Sequence, residues 1–170
     1  MVAGLLAVAP LAPACTQRND RVSNAPIGAH DDDASRTEVL TTYRAMMDAQ
    51  VRSYAAPNPA LDVTDLASYV GDPLRGQMLA ALGQMQHNGV AYRGKPVLHP
   101  KVTAIRRGDP DTATIVDCVD ASGWKPVYVR NGSSAAAPEG AKRYPHTLTA
   151  QLYQGRWLIT KATVDRSRTC

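Results

Sequence analysis

The sequence contains no phenylalanine, so Leu, Val, Ile, Met, Tyr and two Trp must fill whatever core forms. It has no Gly-rich phosphate loop, no Gly-x-Ser-x-Gly elbow and no His-Glu-x-x-His, which removes the commonest nucleotide-binding, serine-hydrolase and zinc-protease patterns. Histidine is scarce, and His87, His99 and His146 fall far apart without metal-ligand spacing, so no metal and no cofactor is expected. His30 with Asp31, Asp32 and Asp33 reads as a solvated acidic patch rather than a cation site. No basic run is clustered tightly enough to read as a nucleic-acid stripe. The apolar stretch Met1–Ala14 is too short to span a bilayer, which takes about 20 residues.

What is present fits one ordinary domain. The chain has 170 residues, 44% hydrophobic and 20% charged. Its net charge of +4 is uneven: residues 1–90 carry −3 and residues 91–170 carry +7. A basic second half suits either a solvated sheet face or contact with an anionic surface polymer.

Met1–Ala14 carries no charged side chain and ends in the small-residue pattern Ala12-Pro13-Ala14, with Cys15 immediately after. This resembles the lipobox of bacterial lipoproteins. The resemblance implies lipidation of Cys15 and anchoring to the cell membrane from outside; plain secretion after cleavage at Ala14 is the alternative. Two features depart from the pattern. Ala12 stands where Leu is usual, and a positively charged start is missing, as though the signal began upstream of Met1. Acylation would use Cys15 and leave Cys118 and Cys170 as a pair. In an oxidising compartment the expected outcome is a disulfide, worth about 4 kcal/mol for a loop of roughly 50 residues.

Thr16–Asp33 lacks hydrophobic periodicity and reads as a flexible tether. The divisions are therefore a signal segment at 1–14, a tether at 15–34 and a domain at 35–170. Ser35 and Glu38 form a capping box that predicts a helix start. Val39, Leu40, Tyr43, Met46, Met47, Val51 and Tyr54 then recur at steps of three and four, until Pro57 and Pro59 end the run. A short helix is predicted over Thr64–Val70. A third starts at Asp72-Pro73, with Asp as N-cap and Pro at the first helical position, and closes at Gly89.

After Gly89 the period changes to two. Strands are predicted at Val97–Arg107, Thr112–Asp120, Trp124–Arg130, Tyr144–Gln154 and Trp157–Asp165. Pro126 marks its strand as an edge or a bulge. Helices first and antiparallel strands after argue an α+β domain: one long and two short N-terminal helices packed on a curved, mainly antiparallel sheet of 4–6 strands.

This order, with the closing phrase Gly155-Arg156-Trp157-Leu158-Ile159, resembles the nuclear transport factor 2-like superfamily, whose cystatin-like cone is shared by ketosteroid isomerases and polyketide cyclases. The resemblance covers residues 35–166. It implies a pocket between the first helix and the concave sheet, and homodimers through the sheet.

The candidate pocket residues are Tyr43, Met46, Met47, Tyr54, Asp117 and His146. Asp117 shares its strand face with Ile115 and Val119, where a carboxylate is either a base or, at a strand end, a solvated or ion-paired group. Met46, Met47, Met78 and Met85 suit an adaptable apolar pocket or a plain core. Trp124 and Trp157 read as packing. No family motif surrounds the candidates, so no catalytic residue is assigned. The leading expectation is a non-catalytic domain that binds a small apolar ligand or a protein partner. The alternatives are a ketosteroid-isomerase-like or polyketide-cyclase-like enzyme using Asp117, and an envelope protein adhering to anionic polymers.

Overall fold

The computed structural model describes residues 32–57, 65–136 and 141–170. The apolar leader, Cys15, most of the tether, Pro59 and Thr64 lie outside them. The described chain is α+β, as expected. Its elements are α1 (Asp32–Ala55), a short α2 helical at 65–67, α3 (Leu74–His87), and six strands. These are β1 (Val90–Gly94), β2 (Lys101–Arg106), β3 (Thr112–Asp120), β4 (Trp124–Tyr128), β5 (Arg143–Tyr153) and β6 (Arg156–Val164).

α1 already includes Asp32–Ala34, which sequence alone places in the tether. Ser35 and Glu38 therefore lie inside the helix rather than capping its start. Asp32 and Asp33 in the first turn and Arg52 in the last match the helix dipole. Arg107 ties that first turn to the sheet: it pairs with Asp32 and with the buried Asp111, the latter at 2.8 Å. The buried stripe of α1 comprises Val39, Tyr43, Met46, Met47, Ala49 and Ser53. Each large apolar side chain buried in this way contributes about 1.5–3 kcal/mol. The helix stops at Ala55 because Pro57 disfavours helical geometry at the residue before it.

α3 begins one residue later than expected. Pro73 is its cap, without a side-chain hydrogen bond, and Asp72 pairs with Arg75 instead. Leu74, Met78 and Leu82, at steps of four, are its buried face.

The strands form two antiparallel sheets, one in the order β2-β3-β5-β6 and one pairing β1 with β4. β1 has no counterpart among the strands predicted from sequence. Pro126 sits opposite Tyr92 in the two-stranded sheet, an edge as its missing N–H requires. The predicted strand Val97–Arg107 is broken. Val97 exchanges both backbone hydrogen bonds with Asp120, but the His99 amide donates to the Asp117 carboxylate. Pro100 has no N–H to offer, so the ladder resumes only at Lys101. Register shifts interrupt β2–β3 at Val102/Ala104 and β5–β6 at Thr149/Ala150, and such bulges bend the strands that carry them. The β5–β6 hairpin turns at Gln154-Gly155, where φ is 48° and 76°, the doubly left-handed geometry that a two-residue hairpin favours.

The helices cover one face of the four-stranded sheet. Ala113, Ile115, Leu148, Ala150, Trp157 and Ile159 meet the apolar faces of all three helices in one core. Cys118 and Cys170 form a disulfide, with Cα atoms 5.9 Å apart, that fastens the C-terminus to β3. No helix among the described residues is long and apolar enough to cross a membrane.

Candidate functional site

At the end of the core away from the β5–β6 turn, α1 and α3 part from the sheets and leave a cavity of about 310 Å³. Met46, Met47, Gln50 and Tyr54 face it from α1, and Leu74, Gln77, Met78 and Ala81 from α3. The β1–β4 ribbon contributes Tyr92 and Trp124. The larger sheet contributes Val119, Tyr144, His146, Ala162 and Val164, and Arg166 follows just past β6. This volume lies at the small end of the range for ligand sites, and a largely apolar wall with few polar groups is typical of them.

Three aromatic rings form one flank. Tyr54 stacks on Trp124 with centroids 5.5 Å apart, and Tyr92 lies 5.3 Å from Tyr54 and 4.8 Å from Trp124. Helical spacing brings Tyr54 here from the last turn of α1, and the pairing of Gly94 with Trp124 sets the ribbon's register. Burial raises the Tyr54 hydroxyl above the usual phenol range, and it does the same to Tyr144. Trp124 is 7% exposed, and its indole N–H has no hydrogen-bond partner among the described residues.

The polar floor comes from strand alternation. Inward positions on β3 hold Ala113, Ile115, Asp117 and Val119; those on β5 hold Tyr144, His146, Leu148 and Ala150. Antiparallel register sets Asp117 directly opposite His146. Asp117 is 1% exposed and uses both oxygens: Oδ1 accepts the His99 amide and Oδ2 the Tyr43 hydroxyl, each at 2.6 Å. Burial, then that bond, pushes the Tyr43 hydroxyl well above the phenol range. His146 packs edge-on to Tyr43 with centroids 6.3 Å apart. Burial lowers its pKa from 6.5 to about 4, against an opposing pull from Asp117 and with help from Arg166. The imidazole is therefore neutral at pH 7.

The six candidate residues divide into two groups. Met46, Met47, Tyr54 and His146 line the cavity, while Tyr43 and Asp117 stand behind His146 and are absent from the wall. Met78 joins the lining and Met85 does not. Trp157 packs in the core, whereas Trp124 belongs to the cavity. Tyr92, Tyr144 and Arg166 escape sequence reasoning. Tyr144 occupies an inward strand position and was accessible to alternation; nothing local marks the other two. Among the described residues no group of three metal-ligating side chains converges.

No family model and no curated protein matches the chain. Among solved structures it is similar to the intermembrane space region of the chloroplast protein ARC6, at 12% identity and a TM-score of 0.46, over 79% of this chain and 96% of that one. It is also similar to a de novo β-sheet design solved by NMR, at 11% identity and a TM-score of 0.36, over 76% of this chain and 89% of the design. Neither likeness bears on function.

Proposed function

We propose that this chain is an extracytoplasmic bacterial lipoprotein, held to the membrane by acylation of Cys15, whose domain binds a small apolar ligand without catalysis. The observation that carries the binding reading is the cavity of about 310 Å³ walled by Met, aromatic and aliphatic side chains. Methionine gives such a wall adaptability, because its unbranched thioether repacks around different shapes. Its position between α1 and the sheet supports the nuclear transport factor 2-like reading. The commitment of both Asp117 oxygens to Tyr43 and His99 supports a structural role for that carboxylate rather than a base within reach of a ligand. The Cys118–Cys170 disulfide fits an oxidising compartment, and the leader before Cys15 supplies the address.

Native mass spectrometry of the purified protein with neutral long-chain alcohols tests the binding role. One bound molecule per chain is expected, and its absence at every chain length would refute the reading. Incorporation of labelled fatty acid that disappears in Cys15→Ser tests the anchor.

A further inference from the structure

Among the described residues, the cavity wall contains one charged side chain, Arg166, and no carboxylate. The Arg166 guanidinium lies 4.3 Å from the centroid of the Tyr144 ring, which is itself part of the wall. The guanidinium hydrogen-bonds to the Tyr144 hydroxyl and, with five N–H groups in its planar fork, keeps others for a planar acceptor. Arg166 makes no ion pair among the described residues; the neighbouring Asp165 pairs with Arg168. Arg166 is solvent-exposed, as are Gln77 and Val164, so this group marks the opening. Met46, Met47 and Met78 are buried and mark the interior.

The geometry points to a single-chain amphiphile with an anionic head group, its alkyl tail among the buried methionines and its head on Arg166. This deepens the apolar-ligand reading and rests on it. The interior cannot take the head group. His146 is neutral at pH 7 and offers no charge, and the carboxylate of Asp117 lies just behind it. A cationic head would meet Arg166 without a counter-charge. The charge of Arg166 reaches into the cavity: it opposes the burial that raises the Tyr54 and Tyr144 hydroxyls and adds to the burial that lowers His146. The small volume favours one alkyl chain over the two of a membrane phospholipid. A carboxylate and a phosphate monoester share the recognised chemistry.

The test is displacement of a neutral bound fluorophore from the purified protein by dodecanoate, dodecyl phosphate, dodecanol and dodecyltrimethylammonium. The same four are run on Arg166→Gln and Arg166→Lys. Dodecanoate is expected to bind about five- to tenfold more tightly than dodecanol, the scale of one charge-assisted contact at an exposed site. Arg166→Gln should bring dodecanoate down to the level of dodecanol measured on the same variant, and Arg166→Lys should keep part of the advantage. Dodecyl phosphate matching or exceeding dodecanoate would place the specificity in anionic charge; a weaker phosphate would place it in the planar carboxylate. Equal binding of dodecanoate and dodecanol, or an advantage that survives Arg166→Gln, overturns the inference and leaves the apolar-ligand reading standing. Failure of all four to displace the bound probe also overturns the inference, whereas failure of the protein to bind the probe at all takes the apolar-ligand reading with it.

Discussion

Tyr43 of α1 donates its hydroxyl proton to Asp117 of β3 across 2.6 Å, joining the helical layer to the sheet inside the core. A buried carboxylate that loses a donor keeps its desolvation cost, about 1–3 kcal/mol or more for a charged group. Tyr43→Phe should therefore lower stability by at least that amount. Urea unfolding should show a lower midpoint and an unchanged slope. A loss below about 0.5 kcal/mol would mean the bond contributes nothing net.

His146 makes the protein acid-sensitive. Its pKa is held near 4 in the fold, against an ordinary 6.5. The unfolded chain therefore takes up a proton, as pH falls between these values, that the folded chain refuses. Stability is full above about pH 6.5 and declines towards pH 4, with a loss of about 2 kcal/mol between about pH 7 and about pH 5. Asp117 and Tyr43 face the ring, and Arg166 adds its own repulsion to the imidazolium. His146→Gln should flatten unfolding free energy across this window. An equal slope in the variant would assign the acid sensitivity elsewhere.

The disulfide closes a loop with a sequence separation of 52. In the chain-entropy account, removing it destabilises by about 4 kcal/mol. The double variant Cys118→Ser/Cys170→Ser should show a correspondingly lower thermal midpoint, as should the reduced protein. Unchanged melting on reduction would remove the bond from the stability account.

Gly94 has φ +78°, and a Cβ there would fall 2.0 Å from the carbonyl oxygen of Gly123. Gly94→Ala adds left-handed strain of about 1–3 kcal/mol to that collision. Because Gly94 pairs with Trp124, the aromatic flank should shift as well. The expected signs are a lower midpoint and a displaced tryptophan emission maximum. A variant matching the parent in both would show that the ribbon accommodates the clash.

Local periodicity was enough to place most of the fold. The apolar steps of α1 and the alternation of β3 and β5 identify the inward residues, including Asp117 and His146. The broken strand at Val97–Arg107 was half legible: Pro100 inside the run signals a break, whereas the draw of the His99 amide to Asp117 on another strand is non-local. The cavity was half legible. Helical spacing points Met46, Met47 and Tyr54 inward but does not say whether they meet a partner or a space. Arg166 lies beyond the last strand, and only the folded chain brings it to the opening.

Binding of the neutral fluorophore N-phenyl-naphthylamine, compared before and after the cavity is filled, tests the central claim most directly. Ala81 of α3 and Ala162 of β6 both face the space, and a tryptophan at either position would occupy it. Saturable binding of one molecule per chain is expected for the parent protein, with loss of binding in Ala81→Trp and Ala162→Trp variants that still unfold cooperatively. Undiminished binding in both folded variants, or no binding by the parent, would contradict the account.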